Sequence, residues 1–369
     1  MADLSTAQKI LKRIQDLVRE LLQDIARGSL PVISIDRFIP CDSLTDGDGL
    51  SVYERCESQE RIALKGRTST QRIVAFMRVL LIVQGLLQQE KHASKRDVYY
   101  MDPRLFGDQV IVDQAINDIC TKLKCARSSI HVFSASKGLV MGCLQYIDQG
   151  RLVDCSRHRL SGFPIPTLTD GVTLAMSEAE YILLVEKETV FQRLANDGYC
   201  MKNRCIVITG RGYPDVPTRS FLRLLVNALH LPVYGLVDAD PYGLDILCTY
   251  RFGSLAMAYD AEALATPSIR WLGVFLSDVR FHGIPVRCLL PLRENDKRKA
   301  EAMLKRQYLK IHAPLWWLLC HSQPRRKLVP RVPSTRRNTE PSGNSSAPLP
   351  NIMPAIQKVH SERKKSYGE

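Results

Sequence analysis

Along residues 7–26, "AQKILKRIQDLVRELLQDIA", apolar side chains recur every three or four positions: Ile10, Leu11, Ile14, Leu17, Val18, Leu21, Leu22 and Ile25. Charged residues fill the opposite side, which predicts an amphipathic helix closed by Gly28. A polar stretch of about 40 residues, Asp36 to Thr70, separates it from the next patterned segment. The spacing therefore predicts a linker over 31–69. With no core nearby, the helix must lay its stripe either on the chain's own body or on a partner.

Residues 70–90, "TQRIVAFMRVLLIVQGLLQQE", read as a strongly apolar helix. "KHASKRDVYYMDPRLF" follows, then a further helix, "GDQVIVDQAINDICTKLKC". The run "SSIHVFSASKGLVMGCLQYI" is rich in β-formers, with a turn expected at Ser136-Lys137-Gly138. Helix, short helix, helix, hairpin is the order of a winged-helix module. Thereafter apolar strands alternate with amphipathic helices: "AEYILLVE", "RCIVITG", "LPVYGLVDAD" and "IRWLGVFL" are the strands. That alternation predicts a mostly parallel sheet covered on both faces, so the overall class is α/β, or α+β over the whole chain. In such sheets the working residues sit past the carboxyl ends of strands. After about residue 310 the pattern collapses, and residues 321–369 hold seven prolines among Ser, Asn, Lys and Arg. This segment reads as disordered.

Composition narrows the setting. A chain of 369 residues, 45% apolar and 24% charged, is that of a soluble globular protein with two or three domains. Apolar runs such as "VLLIVQGLL" are too short to span a bilayer, so no membrane partner is expected. The start, "MADLSTAQKI", lacks the basic and apolar regions of a secretory signal. None of the eleven cysteines is spaced C-x-x-C, and the pairs Cys120/Cys125 and Cys200/Cys205 lack the further ligands of a zinc site. They read as reduced thiols of a cytosolic or nuclear protein. Of the net charge of +13, +7 falls in residues 321–369 (ten Lys/Arg, three Asp/Glu). The basicity suggests a polyanionic partner or a plain solvated tail.

Candidate chemistry gathers at two predicted strand ends. "LLVEKE" places Glu186 at the end of the first strand, and "GLVDADPYG" places Asp238 and Asp240 at the end of the third. Residues two apart in a strand face the same way, so the two aspartates can meet one ion with Glu186 beside them. Three hard oxygen donors suit Mg²⁺, which would bring a phosphate-bearing substrate. The alternative for the aspartates is capping of the following helix. Upstream, Ser94-x-x-Asp97 fits a capping box opening a helix at Lys95, and Asp102-Pro103 ends it. On that short helix Arg96 and Tyr100 stand at i and i+4 on one face, with Tyr99 turned about 100° away. A phenol with a pKa near 10 needs help as a nucleophile, and a guanidinium alongside favours the phenolate and grips phosphate.

Together "RDVYYMD", "VEKETVFQRL", "VITGRGYPDVPTR", "LVDADPYGLDIL" and "RWLG" stand in an order that resembles the A subunit of the topoisomerase VI family, in its plant-type meiotic branch. The resemblance covers roughly residues 70–310. It implies a winged-helix domain whose Tyr100 attacks DNA, with Arg96 in the site, forming a 5′-phosphotyrosyl link and a free 3′ hydroxyl. It also implies a Toprim domain holding Mg²⁺ on Glu186, Asp238 and Asp240. Lys137 matches a DNA-contacting position near the wing, and Arg211 and Tyr213 match a loop lying along DNA. Tyr99 matches a packing position.

The partners implied are double-stranded DNA, a second copy of the chain, other meiotic break-forming proteins and a topoisomerase VI B-like subunit, in the nucleus. The amino-terminal stripe, Ile10, Leu11, Ile14, Leu17 and Leu21, would be the B-subunit contact. The expected division is then 1–30 partner-docking helix, 31–69 linker, 70–160 winged helix, 170–312 Toprim, 313–369 disordered basic tail. Past "AEAMLKRQYL" the family would continue with an acidic helix, whereas this chain reads "KIHAPLWWLLCHSQPRRKLVPRVP", like an alternative ending. Three functions follow: a meiotic DNA-cleaving transesterase, a full ATP-dependent topoisomerase, or an isoform that dimerises or binds the B-like subunit without cutting.

Overall fold

The computed structural model describes residues 5–40, 53–157, 161–275, 289–290, 293–306, 308–309 and 327–328. The chain begins with α1 (Thr6–Ala26), β1 (Val32–Pro40), β2 (Tyr53–Ala63) and α2 (Arg67–Gln88). Next come β3 (Ala93–Ser94), α3 (Lys95–Tyr100), α4 (Pro103–Phe106), α5 (Gln109–Leu123) and β4 (Val132–Phe133). Short strands follow: β5 (Leu139–Gly142), β6 (Leu144–Asp148), β7 (Arg151–Asp154), β8 (Phe163–Pro164) and β9 (Val172–Ser177). The second half runs β10 (Tyr181–Val185), α6 (Glu188–Asn196), α7 (Tyr199–Lys202), β11 (Cys205–Thr209), α8 (Val216–Leu229), β12 (Val233–Leu236) and α9 (Pro241–Phe252). It closes with α10 (Ala261–Leu264), β13 (Arg270–Gly273), β14 (Leu289–Leu290), α11 (Glu294–Leu304) and β15 (Lys327–Leu328).

The expected linker is folded. β1 and β2 pair antiparallel from Val32–Ala63 out to Pro40–Tyr53, with an irregularity between Asp36 and Phe38. This pair, α2 and α5 form the core that α1 needs. Ser5 caps α1 reciprocally with Gln8, and Ile10, Ile14, Leu17 and Leu21 are buried against Ile33, Phe76, Val83 and Ile119. Leu11 packs at the margin of the same cluster. Arg13 donates from Nη1 to the Leu123 carbonyl oxygen at 2.7 Å, pinning the helix to the end of α5. Burying four such side chains is worth on the order of 10 kcal/mol before chain entropy is counted. The reading of this stripe as a partner surface is therefore corrected: its side chains lie in the chain's own core. Leu22 and Ile25, at the end of the helix, stay exposed.

The helix α2 corrects the bilayer argument as well. At 22 residues it is long and apolar enough to cross a membrane, because the apolar segment continues beyond that run. Its apolar face instead holds this core, with Phe76, Val79 and Val83 fully buried.

The hairpin of the first half differs from the one expected. β4 pairs in parallel with β3, and β5 turns away to join the sheet of the second half. The hairpin is β6–β7, turned at Gln149-Gly150, both with positive φ (48° and 77°), and β9 extends it on the other side of β6. Gly138 serves close approach instead of a turn. A Cβ there would lie 2.2 Å from Thr218 Oγ1.

The main sheet has six strands in the order β13-β12-β10-β11-β5-β8. The first four are parallel, and β5 and β8 are antiparallel to their neighbours. β10 and β11 are buried along their whole length, as expected of strands covered on both faces. The chain passes from β10 to β11 on one side and to β12 and β13 on the other, so a switch in direction falls at β10. The boundary expected between 160 and 170 thus cuts the sheet, since β5 and β8 precede it. Most of the expected disordered tail lies outside the described residues, but Lys327–Leu328 pair antiparallel with Leu290–Leu289.

Candidate active site

The three acids of the strand ends stand on adjacent strands. Val185 is level with Leu236 where β10 pairs with β12, so Glu186 lies one residue past its strand and Asp238 two past the other. Glu186 Oε2 accepts the Asp238 backbone N–H at 2.8 Å. Asp240 caps α9, its Oδ1 accepting from the N–H groups of Tyr242 (2.9 Å) and Gly243 (2.8 Å). Capping and a role at the strand end therefore coexist in Asp240, since one oxygen makes the cap. Gly243 is what lets the helix start so close. A Cβ there would lie 2.4 Å from the Asp238 carbonyl oxygen and 3.0 Å from Glu186 Oε2.

Electrostatics mark the cluster as short of positive charge. Burial, and then the Asp238 carboxylate, push Glu186 up to about 7, with Asp240 adding to the rise. Lys187 answers part of this: its Nζ donates to Asp238 Oδ2 at 2.5 Å. The trace of this pair in the sequence is a lysine standing directly after the strand-end glutamate. Among the described residues no three His, Cys, Asp or Glu side chains are gathered so as to hold a metal ion. The ready-made three-carboxylate cage is thus not formed: Asp238 leans on Lys187 and Asp240 on its helix. The donors still fit a hard cation, because burial and the neighbouring Asp238 and Asp240 carboxylates disfavour the charged form of Glu186, a repulsion that a cation would relieve.

The loop beside the acids is tied inward. Arg211, at φ 52°, pairs its Nη2 with Glu188 Oε1 at 2.8 Å, and the Gly212 N–H donates to the Glu186 carbonyl oxygen at 2.9 Å. Tyr213 gives its hydroxyl proton to Asp245 Oδ2 at 2.7 Å. Asp245, buried on α9, also takes Lys299 of α11 on Oδ2 and Arg306 on Oδ1. Burial works to raise the Asp245 pKa, but Lys299, Tyr213 and Arg306 outweigh it and hold the carboxyl below its usual range. This node fixes α9, and hence Asp240, against α11. Its legible trace was one acid inside the apolar run "YGLDILCTY". Lys137 is exposed, and its backbone N–H donates to Asp215 Oδ2 at 2.6 Å, holding its loop to the start of α8.

The tyrosine pair is separated as the helical spacing predicts. Ser94 and Asp97 form the capping box, at 3.1 and 2.8 Å, and α3 ends with Tyr100. Tyr100 is 67% exposed, and Arg96 is exposed on the same face. Tyr99 is half-buried, packs on the core, meets Tyr100 edge-on at 5.5 Å and donates its hydroxyl to the Gly107 carbonyl oxygen at 3.3 Å. The helix packs on β3, α4 and α5. Among the described residues neither Arg96 nor Tyr100 is bonded to the strand-end acids.

Two family models match the chain. One, "Type IIB DNA topoisomerase", covers residues 65–132. The other, the Toprim domain shared by Spo11 and the topoisomerase 6 A subunit, covers residues 181–325. The chain is 52% identical to meiotic recombination protein SPO11-1 of Arabidopsis thaliana, over 85% of this chain and 87% of the relative. It belongs to the family of Spo11 and the topoisomerase VI A subunit. Human SPO11 is 36% identical over 85% of this chain and 79% of its own length. The DNA topoisomerase 6 A subunit of Arabidopsis is 39% identical over 73% and 67%. The Toprim match opens at Tyr181, the first residue of β10, and takes in all three acids. The type IIB match takes in Arg96 and Tyr100. The Toprim match also runs past residue 310, where the ending was expected to depart from the family.

Proposed function

We propose that this chain is a topoisomerase VI-like DNA transesterase that makes the double-strand breaks initiating meiotic recombination, with Tyr100 as its nucleophile. Its likeness to meiotic recombination proteins supports the reaction class. The observation that carries the residue assignment is the division of labour in α3: Tyr100 and Arg96 are presented outward, while Tyr99 is turned in and bonded to Gly107.

The Tyr100 phenolic oxygen attacks a DNA phosphorus. A P–O(tyrosine) bond to the 5′ side forms, the P–O3′ bond breaks, and the leaving 3′ oxygen takes up a proton. Arg96, one turn back, grips the phosphate and favours the phenolate. Glu186, Asp238 and Asp240 would hold Mg²⁺, which supplies charge stabilisation at the leaving oxygen and orientation of the DNA. Lys187 keeps Asp238 turned toward that position, and Gly243 leaves the room. Lys137 on its pinned loop and Arg211 beside Glu188 add phosphate contacts. Tyr213, bonded to Asp245, steadies α9 instead of contacting DNA.

Because α3 packs within its own half, away from the strand-end acids, Tyr100 of one protomer works with the acids of a second, and two such sites cut both strands. A B-like ATPase partner that docks on α1 meets Leu22 and Ile25, not the buried stripe. ATP hydrolysis belongs to that partner, and the setting is nuclear. The deciding measurement is the covalent adduct. Co-expressed with its B-like partner, the chain forms protein-linked DNA, Tyr99→Phe retains it and Tyr100→Phe abolishes it. The reverse pattern moves the nucleophile to Tyr99, and an adduct from neither chain leaves the non-cutting isoform.

A further inference from the structure

Where the two halves meet, a 3-10 helix, Leu255–Asp260, lies against α5, and two guanidiniums are buried there. Arg127, just past α5, is 6% exposed, and Arg219, on α8, is 2% exposed. Arg127 donates from Nη1 to Ser134 Oγ at 2.8 Å and from Nη2 to Met257 Sδ at 3.5 Å. Its Nε has no partner, nor have Nε and Nη2 of Arg219. Among the described residues neither guanidinium is in an ion pair. The buried carboxylate facing both is Asp260. Both guanidiniums face Asp260, yet Arg127 keeps one N–H without a partner inside the fold, where a buried polar group is ordinarily bonded.

A cavity of about 160 Å³ opens beside Arg127. The first half contributes Arg127, Ser128 and Ser134 to its wall. The second contributes Thr167, Thr169 and Ser220, together with Val216 and Pro217 at the start of the 14-residue α8. Thr169 and Ser220 share a hydrogen bond of 2.7 Å. Asp260 also borders the cavity, and the exposed Asp170 stands at its rim. At about 30 Å³ per water, the space holds one tetrahedral oxyanion with a water or two. The lining of hydroxyls and a guanidinium is chemistry that receives such an anion, while the start of α8 is already capped by Asp215.

We propose that this cavity is a binding site for a phosphate-type oxyanion, anchored by Arg127 and held by the hydroxyls of Ser134, Thr167, Thr169 and Ser220. It shares no residue with Tyr100, Arg96 or the strand-end acids. Its walls come from both halves, so an occupant ties them together.

The test is thermal unfolding of the full chain titrated with sodium phosphate, against sodium chloride at equal ionic strength. Phosphate raises Tm saturably by several degrees at millimolar concentration, and chloride does not. Arg127→Met removes the rise, Thr169→Val shifts its midpoint at least threefold to higher phosphate, and Lys137→Ala, on the expected DNA surface, leaves it unchanged. Glycerol 3-phosphate in a parallel titration separates the sources: an equal response points to a phosphate ester, a response to inorganic phosphate alone to the free ion. Equal responses to phosphate and chloride overturn the proposal, as does a rise that survives Arg127→Met or is lost with Lys137→Ala. Should Arg127→Met not fold, the Thr169→Val/Ser220→Ala double variant decides, and an unmoved midpoint overturns it.

Discussion

Gly243 has no room for a methyl group. The backbone of Asp238 and the carboxylate of Glu186 occupy the space where a Cβ would go. Gly243→Ala is expected to cost about 1–3 kcal/mol in urea unfolding, as overpacking does, and to weaken Mg²⁺ binding measured by calorimetry. An alanine variant with wild-type stability and metal affinity would show that the helix start can retreat without disturbing the acids. At this scale the site was partly legible. The i, i+4 spacing of Arg96 and Tyr100 and the capping box at Ser94 could be read directly, because a helix turn is a local object. Lys187 and Asp245 were not, because their partners Asp238, Lys299 and Arg306 are more than fifty residues away and meet them only through the sheet.

Among the elements, α1 shows how a correct pattern leads to a wrong partner. Its amphipathic stripe was plain, and so was the question of what covers it. The answer lay in α2, α5 and the 3-10 helix Ser128–Ile130, which pack on it from beyond the polar stretch. Within that stretch β2, "YERCESQERIA", is too thin in apolar content to read as a strand, with Tyr53 and Ile62 its buried side chains. Polar residues and ion pairs such as Arg72–Glu60 line the rest. Ile14→Ala should therefore cost about 2–5 kcal/mol of stability in the chain by itself, while Leu22→Ala should change it by less than about 0.5 kcal/mol. Chemical denaturation without any partner measures both. Equal, small effects would return the stripe to a partner surface. The parallel strands β10 to β13 were legible for the opposite reason: unbroken apolar runs between helices leave little choice. β5 was misplaced because a short apolar strand carries no mark of which sheet it joins.

For the whole molecule, the seam between the halves carries a proton-linked stability. Burial outweighs the attraction of Arg127 and Arg219 and lifts Asp260 to about 6. A raised carboxyl pKa means the folded state holds the proton more tightly, so its favourable contribution is complete below about pH 4 and lost as pH rises through 6. Comparing wild type with Asp260→Asn from pH 4 to 7 removes other titrations. The stability difference should move toward the variant by up to about 3 kcal/mol as pH increases. A constant difference would mean that Asp260 titrates normally.

The strand β5 has a consequence for dissection. It enters the main sheet beside β11 from the amino-terminal side of any boundary drawn near residue 165, carrying β8 with it. A fragment cut at residue 170 would lose both strands and bare the flank of β11, a fully buried strand with a row of open backbone groups. Such a fragment should self-associate on size exclusion, and one begun at residue 134 should not. The halves are better regarded as two lobes sewn through a common sheet than as beads on a string, and neither is a spare part that can be lifted out whole.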